Sequence, residues 1–452
     1  MIGETSVLGY SRIAAVCSPS LPLGVEERAG ERRSLFPELF LPDLAGPASI
    51  QTFHPAAMTR YLLLALTCGC VLLSPSCRAE KPHPRTSPGI EAFPHVQDLY
   101  EFAETFRAKY DLPALGVGIV KNGRIVALGM AGERKVGSGN WATLQDRFDI
   151  ASCAKPMTAT VAAILVEQGK LRWDMSIREI FPDLLPSIRS NYADVTLEMF
   201  LRHQSGLEQW MRINQRWAQW HRDHTHLSAT EKRRLFAAKV LKDPPRHRPG
   251  TEAYYCNDGF LVAGSMMEQV TGRAWEELVR QELWEPLGLG SLQFGIVPQE
   301  EPAAIVWGHE KGFLGRTRGI QPNPGEFGTP PFGSPGGFLY ASIVDLLRFV
   351  DFNIQGANGN GKLLNRDSFE LLHRPRGNDP FALAWEVECK RDAQGRTVER
   401  SIYHGGYSGR SRSNMWFCPE SQTGTVIVYN HGASDKADAY VEIFYALLKQ
   451  IR

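Results

Sequence analysis

The sequence has little excess charge of either sign. Its 50 Lys and Arg residues are balanced by 49 Asp and Glu residues, which leaves a formal net charge of +1 at pH 7. No basic block or stripe stands out, and this argues against nucleic acid as a partner. Internal repeats are also missing, while 43% of the 452 residues are hydrophobic. The composition is therefore typical of a globular protein with a large core.

Hydrophobic runs that would span a membrane comfortably are missing too. The apolar run at residues 61–73 follows Met58 and Arg60, and a small-x-small cleavage pattern ends at Ala79. A short apolar run with these flanks predicts a secretory signal peptide at residues 58–79. We therefore expect an exported protein, either periplasmic or extracellular.

The segments beside this predicted signal differ from the rest of the chain. Residues 1–57 show no sustained periodicity, which predicts either a disordered extension or a segment upstream of a true start at Met58. Residues 80–91 are rich in Pro and Ser and predict a linker. Cys77 is a candidate for lipid modification. We expect membrane contact only through the signal or such a lipid anchor.

The remaining chain, residues 92–452, shows strand patterns at both ends and helical patterns between them. Two strand patterns at 114–120 and 124–130 flank Asn122-Gly123, a strong hairpin signal. Helices are predicted over 92–110, 260–271, 342–352 and 436–450, with caps at Thr196 and Ser342, and late strands over 383–389, 397–404, 412–417 and 423–429. The pattern predicts an α+β fold in which both chain ends build one sheet, flanked by helices, and a mostly helical lobe completes the cleft.

The first candidate motif is Ser152-Cys153-Ala154-Lys155, where a strand pattern changes to a helical one. We interpret Ser152 as the helix N-cap. Residues three apart share a helix face, so Lys155 is expected one turn above Ser152. A hydroxyl beside an amine is a nucleophile-and-base arrangement, whereas the alternative is an ordinary cap with a solvent-facing lysine.

The second candidate motif is Tyr255-Cys256-Asn257, which we place on a loop before a helix. Alternation puts the phenol and the amide on one side and Cys256 on the other. A tyrosine beside a lysine ammonium is expected to have a lowered pKa and to act as a general base. Asn257 is expected to hold a substrate carbonyl. The alternative is a polar helix entrance.

The third candidate motif is His404-Gly405-Gly406-Tyr407, at the predicted end of a strand. The two glycines leave room for a ligand against the strand edge. The backbone N–H of Tyr407 is then a candidate oxyanion donor. The alternative is a strand that ends in a glycine turn, with His404 half-buried and hydrogen-bonded.

The three motifs, in this order and spacing, resemble those of the serine β-lactamase and penicillin-binding-protein superfamily, in its class C β-lactamase, DD-peptidase and esterase branch. Four further segments support the resemblance, at residues 203–207, 249–251, 336–340 and 381–385. The resemblance implies a β-lactamase/transpeptidase-like fold and a monomer. It also implies a serine hydrolase that acts on a β-lactam, a D-amino-acid peptide or a carboxylic ester without a cofactor or metal. A catalytically silent binding or sensor domain of the cell envelope is the alternative.

The resemblance also assigns roles to residues. Ser152 is the nucleophile, Lys155 and Tyr255 share its proton, and the N–H groups of Ser152 and Tyr407 hold the oxyanion. His404 replaces the usual lysine and is expected to set the charge around the other groups. The expected substrate-binding residues are Asn257, Gly405, Gly406, Tyr407, Gly336 and Gly337.

One departure from the family pattern bears on the substrate. Gly405 stands where Thr or Ser is common, which removes a hydroxyl that would help to bind a substrate carboxylate. Efficient hydrolysis of penicillins or cephalosporins is therefore not expected. The sequence also has no credible counterpart of the separate deacylating glutamate of class A enzymes.

Three other features have two readings each. Cys153 and Cys256 are expected to meet behind the cleft, as either a disulfide or two buried thiols. His221, His224 and His226 are interpreted as solvated surface residues and not as metal ligands. The Pro- and Gly-rich segment 321–337 is either a cleft wall or a mobile surface loop. A fourth feature also has two readings: Arg246 and Arg248 are interpreted as surface charge, and the alternative is that one of them contacts a substrate carboxylate.

Overall fold

The computed structural model describes residues 83–209, 220, 222–295, 304–312, 315–321, 332–377, 379–433 and 437–451. The predicted upstream extension, signal peptide and lipid-modified Cys77 lie outside these residues, as does His221. No helix within the described ranges combines the length and apolar character needed to cross a membrane.

The central element is a seven-stranded sheet built from both ends of the described chain. Its strands are β1 (Gln97–Asp98), β2 (Ala114–Lys121), β3 (Arg124–Gly132), β9 (Glu386–Arg391), β10 (Thr397–Tyr407), β11 (Arg412–Cys418) and β12 (Thr423–Tyr429). Their order is β1-β3-β2-β12-β11-β10-β9. Neighbours are antiparallel except for the parallel β1–β3 pair. Val117 opposite Ile427 joins the first hairpin to the last strand. The predicted α+β fold with a sheet from both ends is confirmed.

Five short strands complete the β-structure. They are β4 (Phe148–Asp149), β5 (Gln293–Phe294), β6 (Gly308–Lys311), β7 (Thr317–Ile320) and β8 (Leu339–Ala341). Strands β4, β8 and β5 form a small sheet, while β6 and β7 form a hairpin. The small sheet delivers the chain to Ser152, since Asp149 pairs with Tyr340.

The predicted hairpin between β2 and β3 is confirmed. Asn122 and Gly123 both have positive φ, at 50° and 76°, which is the conformation of the turn that best suits two twisted strands. The segment before it differs from the prediction. The predicted helix over 92–110 is instead a 3₁₀ turn at Ile90–Ala92, then β1, then a shorter helix.

The described part of the predicted linker packs on the domain. Ser87 is fully buried, and its hydroxyl donates a hydrogen bond to Asp98 at 2.5 Å and accepts one from the N–H of Met130 at 2.9 Å. Residues 87–92 therefore extend the domain, because a buried hydroxyl with two partners fixes the chain there.

The helices flank the sheet and build the second lobe. They are α1 (Tyr100–Lys109), α2 (Ala154–Glu167), α3 (Ile177–Ile180), α4 (Leu197–Leu201), α5 (Ala229–Val240), α6 (Asn257–Thr271), α7 (Trp275–Val279), α8 (Glu285–Leu287), α9 (Ile343–Ala357), α10 (Arg366–His373) and α11 (Ala437–Leu448). A π-helical turn, Arg280–Trp284, joins α7 to α8. The predicted caps are confirmed: Thr196 accepts from the N–H of Met199 and Ser342 from that of Asp345. The sheet has a separate hydrophobic cluster on each face.

A buried ion cluster ties the helical lobe together. The Arg233 side chain on α5 is fully buried and contacts Glu268 on α6 at 2.6 Å and Glu276 on α7 at 2.7 Å. It also donates to the carbonyl of Phe332 at 3.1 Å. Burial lowers the pKa of Arg233, but the charges of Glu276 and Glu268 more than offset this, so the pKa is raised overall. The arginine therefore stays charged and links three helices to the segment that leads to Gly336.

Candidate active site

The nucleophile candidate lies in a sharp turn between β4 and α2. Ala151–Cys153 forms a 3₁₀ turn, and the helix begins at Ala154 with Cys153 as its N-cap. The prediction that Ser152 caps the helix is therefore wrong. Ala151 has a φ of 44°, a strained value for a residue with a Cβ, and its N–H donates to the Asp149 carboxylate at 2.9 Å. The turn leaves the Ser152 hydroxyl available for contacts with other elements.

Lys155 lies beside that hydroxyl in a fully buried position. Its Nζ is 2.9 Å from Ser152 Oγ and 2.6 Å from the carbonyl oxygen of Gly336. The amine also lies 5.0 Å from the ring centre of Tyr255 and 5.6 Å from that of Phe260. Burial lowers the pKa of Lys155 to about 7. A large fraction of this lysine is therefore a neutral amine at physiological pH, able to accept a proton.

The pKa of Tyr255 is shifted in the opposite direction from the prediction. Burial raises the pKa of its phenol well above the usual value, and a hydrogen bond with Ser152 opposes the rise only in part. The expected lowering required a permanent lysine ammonium, but Lys155 itself loses charge through burial. The prediction of a lowered Tyr255 pKa is therefore wrong. Tyr255 is a neutral phenol that is hydrogen-bonded to Ser152.

His404 is also neutral. Its ring is buried, and Nδ1 donates to the carbonyl of Ala384 at 2.6 Å. Burial and the charge of Lys155 lower the pKa of His404 to about 3. The ring centre lies 6.2 Å from that of Tyr255. His404 therefore adds no positive charge here, which corrects the expectation that it sets the charge around Lys155 and Tyr255.

Strand β10 continues past its predicted end at His404 and runs through Tyr407. Its pairing with β9 stops at Tyr403, opposite Glu386. Residues 404–407 therefore extend beyond the ladder with β9. Gly405 lies within this extension, and Tyr407 is 40% exposed. A strand edge of this kind can pair with an extended substrate.

Gly406 is required by close packing between β10 and the turn before Ser152. A Cβ at this position would lie 2.2 Å from the carbonyl oxygen of Ile150 and 2.3 Å from Ser413 Oγ. Ser413 itself donates to that carbonyl at 2.7 Å, and Ser411 donates to the carbonyl of Asp149 at 2.9 Å. The nucleophile turn and strands β10 and β11 are thus held in one arrangement.

Gly336 lies next to both Lys155 and Asn257, and Gly337 lies near Ala151. Asn257 is the first residue of α6, and a Cβ on Gly336 would lie 3.3 Å from the Asn257 carbonyl oxygen. Gly336 and Gly337 are buried, and a Cβ on Gly337 would lie 3.7 Å from Ala151. The carbonyl of Gly336 thus accepts a hydrogen bond from the Lys155 amine and fixes its position. Substrate binding by the two glycines stays a prediction, as does the cleft-wall role of segment 321–337, of which residues 322–331 lie outside the described part.

The two cysteines beside the motifs are free thiols, which contradicts the disulfide alternative. Cys153 is fully buried, and its Sγ lies 3.4 Å from the carbonyl of His404 and 3.2 Å from Ser413 Oγ. Cys256 is also buried, and burial raises the pKa of its thiol. Cys153 therefore packs against β10 and β11 as a small core residue.

Two further predictions concern residues away from this centre. The guanidinium of Arg246 lies 4.2 Å from the ring centre of Tyr254 and is paired with Glu208 at 3.2 Å, so a carboxylate already contacts it. His226 is exposed, whereas the Nδ1 of His224 contacts the carbonyl of Trp220 at 2.6 Å. No group of three metal-ligand side chains occurs among the described residues.

The sequence did not single out His203 as a site residue. This buried histidine has a φ of 60°, and its Nδ1 accepts a hydrogen bond from the N–H of Cys256 at 3.0 Å. Its ring stacks on that of Tyr255 with centres 4.5 Å apart. No periodicity links positions 203 and 255, so only the tertiary structure reveals the contact.

Comparison with known proteins gives consistent results. The family model described as Beta-lactamase matches residues 99–449. A penicillin-binding protein 4 of Amycolatopsis lactamdurans is 26% identical over 261 residues, which are 58% of this chain and 63% of that protein. A D-aminopeptidase of Brucella anthropi is 23% identical over 350 residues, which are 75% of this chain and 60% of that protein.

Further similar proteins include a curated esterase and two solved structures. A lovastatin esterase of Penicillium rubens is 28% identical over 216 residues, covering 44% of this chain and 53% of that protein. Among solved structures, one described as a class C beta-lactamase has a TM-score of 0.62 at 20% identity, over 78% of this chain and 95% of that one. An octameric penicillin-binding protein homologue from Pyrococcus abyssi has a TM-score of 0.62 at 21% identity, covering 78% and 76%. The matched region spans only 63% and 60% of the length of the first two curated relatives.

Proposed function

The chain belongs to the beta-lactamase family, and from this premise we propose that it is a serine hydrolase that forms an acyl-enzyme on Ser152. One observation carries the proposal. The Lys155 amine, whose pKa burial lowers to about 7, lies 2.9 Å from the Ser152 hydroxyl. Within the described part of the chain Lys155 forms no salt bridge, so no carboxylate holds it in the charged state. A buried, uncharged amine at this distance supports proton removal from the serine.

In the first half of the reaction, Lys155 accepts the Ser152 proton and Oγ attacks the substrate carbonyl. The N–H groups of Ser152 and Tyr407 stabilise the oxyanion, and one such donor is typically worth about 3 kcal/mol of barrier. The proton then passes from Lys155, through the Tyr255 phenol that is bonded to Ser152, to the leaving group. The carbonyl–leaving-group bond breaks, and an ester remains on Ser152.

In the second half, water attacks this ester. Lys155 and Tyr255 accept a proton from the water and return one to Ser152 Oγ, which leaves as the hydroxyl. Asn257 at the start of α6 and the free edge of β10 orient the acyl group through polar contacts. These steps use only side chains and backbone groups of this chain.

The substrate class is an amide or ester, and the site favours one without a carboxylate at the third motif. Gly405 offers no hydroxyl there, and His404 is neutral because burial lowers its pKa to about 3. A carboxylate bound against this strand would find no positive charge on His404. We therefore place a carboxylic ester or a D-amino-acid peptide ahead of a penicillin. The D-aminopeptidase and the lovastatin esterase among the relatives support this choice.

The deciding experiment measures labelling and turnover on the full chain. Wild type and Ser152→Ala are treated with a fluorescent fluorophosphonate and a fluorescent penicillin. Hydrolysis of p-nitrophenyl butyrate, D-alanine p-nitroanilide and a chromogenic cephalosporin is then measured. We expect fluorophosphonate labelling and ester or anilide hydrolysis that disappear in Ser152→Ala. No labelling and no turnover in the wild type would instead support a silent binding domain.

Export and oligomeric state stay predictions. The signal peptide at 58–79 lies outside the described residues, and one structural relative is described as octameric. Fractionation of cells that express the full chain, followed by sedimentation of the product, tests both expectations. A cytoplasmic product or a larger assembly would contradict them.

A further inference from the structure

His203, which lies at the end of α4, is a buried histidine that the proposed chemistry does not use. We propose that His203 is a positioning residue that keeps the Tyr255 phenol at hydrogen-bonding distance from Ser152. This inference rests on the hydrolase function proposed above. Its backbone, its Nδ1 atom and its ring each contact the segment around Tyr255. The three contacts act on different parts of that segment.

The first two contacts fix the backbone. The N–H of Tyr254 donates to the carbonyl of His203 at 2.8 Å, and the N–H of Cys256 donates to the Nδ1 of His203 at 3.0 Å. The residues directly before and after Tyr255 are therefore anchored to the same residue. The bond from the N–H of Cys256 is buried, so its loss would leave that N–H group without a partner in the protein interior.

The third contact fixes the ring. The imidazole of His203 stacks on the phenol ring with centres 4.5 Å apart and planes at 29°. Phe260 and Phe381 enclose the imidazole, with centres 5.1 Å and 4.9 Å away. Aromatic contacts of this type stabilise the rings beyond the effect of their burial. The Tyr255 ring is thus supported by a side chain that cannot easily move.

The protonation state of His203 suits this role. Nδ1 accepts a hydrogen bond, so in the neutral ring the proton is on Nε2. Burial is the main reason that the pKa of His203 lies well below its usual value. Within the described residues Nε2 has no hydrogen-bond partner. The imidazole ring therefore forms its hydrogen bond there through Nδ1, with the N–H of Cys256.

The backbone of His203 is itself strained. Its φ of 60° is in the left-handed region, where Asn, Asp and His occur more often than other residues with a Cβ. Such strain persists where the surrounding structure over-determines a position, and it is common at functional sites. In this conformation the imidazole ring stacks on the ring of Tyr255.

Two substitutions separate these contacts. His203→Asn keeps an acceptor near the place of Nδ1 and tolerates the positive φ, whereas His203→Phe keeps an aromatic ring but loses the acceptor. His373→Phe is the matched control, because His373 is also fully buried and bonded through Nε2 to Asn353 at 3.0 Å, but lies on α10. All three are compared with wild type in p-nitrophenyl butyrate hydrolysis and thermal unfolding.

We expect His203→Phe to lower kcat roughly 100-fold with KM within about threefold of wild type, since misplacing a catalytic group by about 1 Å can have an effect of this size. His203→Asn is expected to recover kcat to within about tenfold of wild type, because it restores the acceptor. His373→Phe is expected to lower the unfolding temperature while leaving kcat per folded molecule unchanged. If His203→Asn recovers nothing, or His203→Phe loses no more kcat than His373→Phe, the positioning role is wrong.

Amide hydrogen exchange gives a second readout that needs no turnover. We expect His203→Phe to speed exchange at residues 254–256, His203→Asn to preserve protection there, and His373→Phe to leave this segment unchanged. Unaltered exchange in His203→Phe would overturn the proposal. If wild type shows no Ser152-dependent hydrolysis, the proposed function fails, and the exchange result still decides whether His203 positions the loop.

Discussion

Lys155 and Arg233 both have fully buried basic side chains, yet their surroundings shift their pKa values in opposite directions. Arg233 meets two carboxylates, at 2.6 Å and 2.7 Å, and its pKa is raised overall. Lys155 meets a hydroxyl and a carbonyl, and burial lowers its pKa to about 7. Burial alone therefore does not decide the charge of a basic group. The presence or absence of a buried counter-ion decides it, and here it separates a structural cation from a proton acceptor.

The largest expected effect comes from Lys155→Met. Without the base, we expect kcat for a Ser152-dependent substrate to fall by about 10³–10⁴-fold. The free energy of unfolding of the variant, in contrast, is expected to rise above that of wild type near neutral pH. The folded pKa of about 7 is below the unfolded value of 10.5, so the unfolded state binds more protons between these limits, and wild-type stability rises with pH across them.

Unfolding of Lys155→Met in urea at pH 7 and pH 10 checks the stability part. The variant is expected to gain a few kcal/mol over wild type at pH 7, at about 1.4 kcal/mol per unit of pKa shift, and less at pH 10. Retained turnover would show that Lys155 is not the base. A large loss of stability at pH 7 would show that the lysine is charged and paired.

The second largest effect is expected from Arg233→Met. This variant leaves Glu268 and Glu276 buried without their partner, which typically destabilises a protein by about 3–5 kcal/mol. We expect the urea midpoint to fall while kcat per folded molecule stays close to that of wild type, because Arg233 does not contact Ser152 or Lys155. The matched triple variant Arg233→Met/Glu268→Gln/Glu276→Leu is expected to recover part of the stability. A loss of kcat at full folding would contradict the structural role of the cluster.

The pH dependence of turnover tests the contrast between an uncharged Lys155 and a charged Arg233. Lys155 acts only as the free amine, so we expect kcat/KM to be level above its pKa of about 7 and to fall about tenfold per pH unit below it. The measurement is a pH profile of p-nitrophenyl butyrate hydrolysis from pH 5 to pH 9. Arg233→Met should have the same acid limb as wild type. A level profile down to pH 5 would exclude a base with this pKa.

The smallest expected effect comes from Asp258, a carboxylate whose charge acts on Lys155. Asp258 is buried at the start of α6, and its charge raises the pKa of Lys155 slightly against the larger effect of burial. Asp258→Asn should therefore move the acid limb of kcat/KM to lower pH, by less than about one unit. Asp174→Asn, in an exposed pair with Arg172, is the control and should not move it. A shift to higher pH would contradict the assigned sign.

The predictable parts of the structure are those that depend on neighbouring residues. Asn122-Gly123 adopts the positive φ values of a tight hairpin, and Thr196 and Ser342 cap helices, because each feature is decided within a few residues. The α+β fold with one sheet built from both chain ends was also predicted from the strand pattern. The positions of Ser152, Lys155 and Tyr255 in one site required that fold as well as the motifs.

The parts that could not be predicted depend on burial and on distant packing. The pKa of Tyr255 was expected to fall and instead rises, since the sequence does not show that burial of the phenol outweighs the other influences on it. His404 was expected to influence charge and is neutral, because its own burial lowers its pKa to about 3. Residues 203–207 and 336–340 supported the resemblance, but the contact of His203 with Cys256 and that of the Gly336 carbonyl with Lys155 have no local sequence signal.

The pairing of β2 with β12 has a consequence for synthesis. Leu115 pairs with Tyr429, so about 300 residues must be made after the first hairpin before its neighbour exists. At roughly 5–20 residues per second, a ribosome needs about 15–60 seconds for that stretch. During this interval the edge of β2 has no strand of its own sheet to pair with, which exposes it to wrong partners. Ser152 is thus synthesised early but becomes part of a finished candidate site only when the last strand emerges.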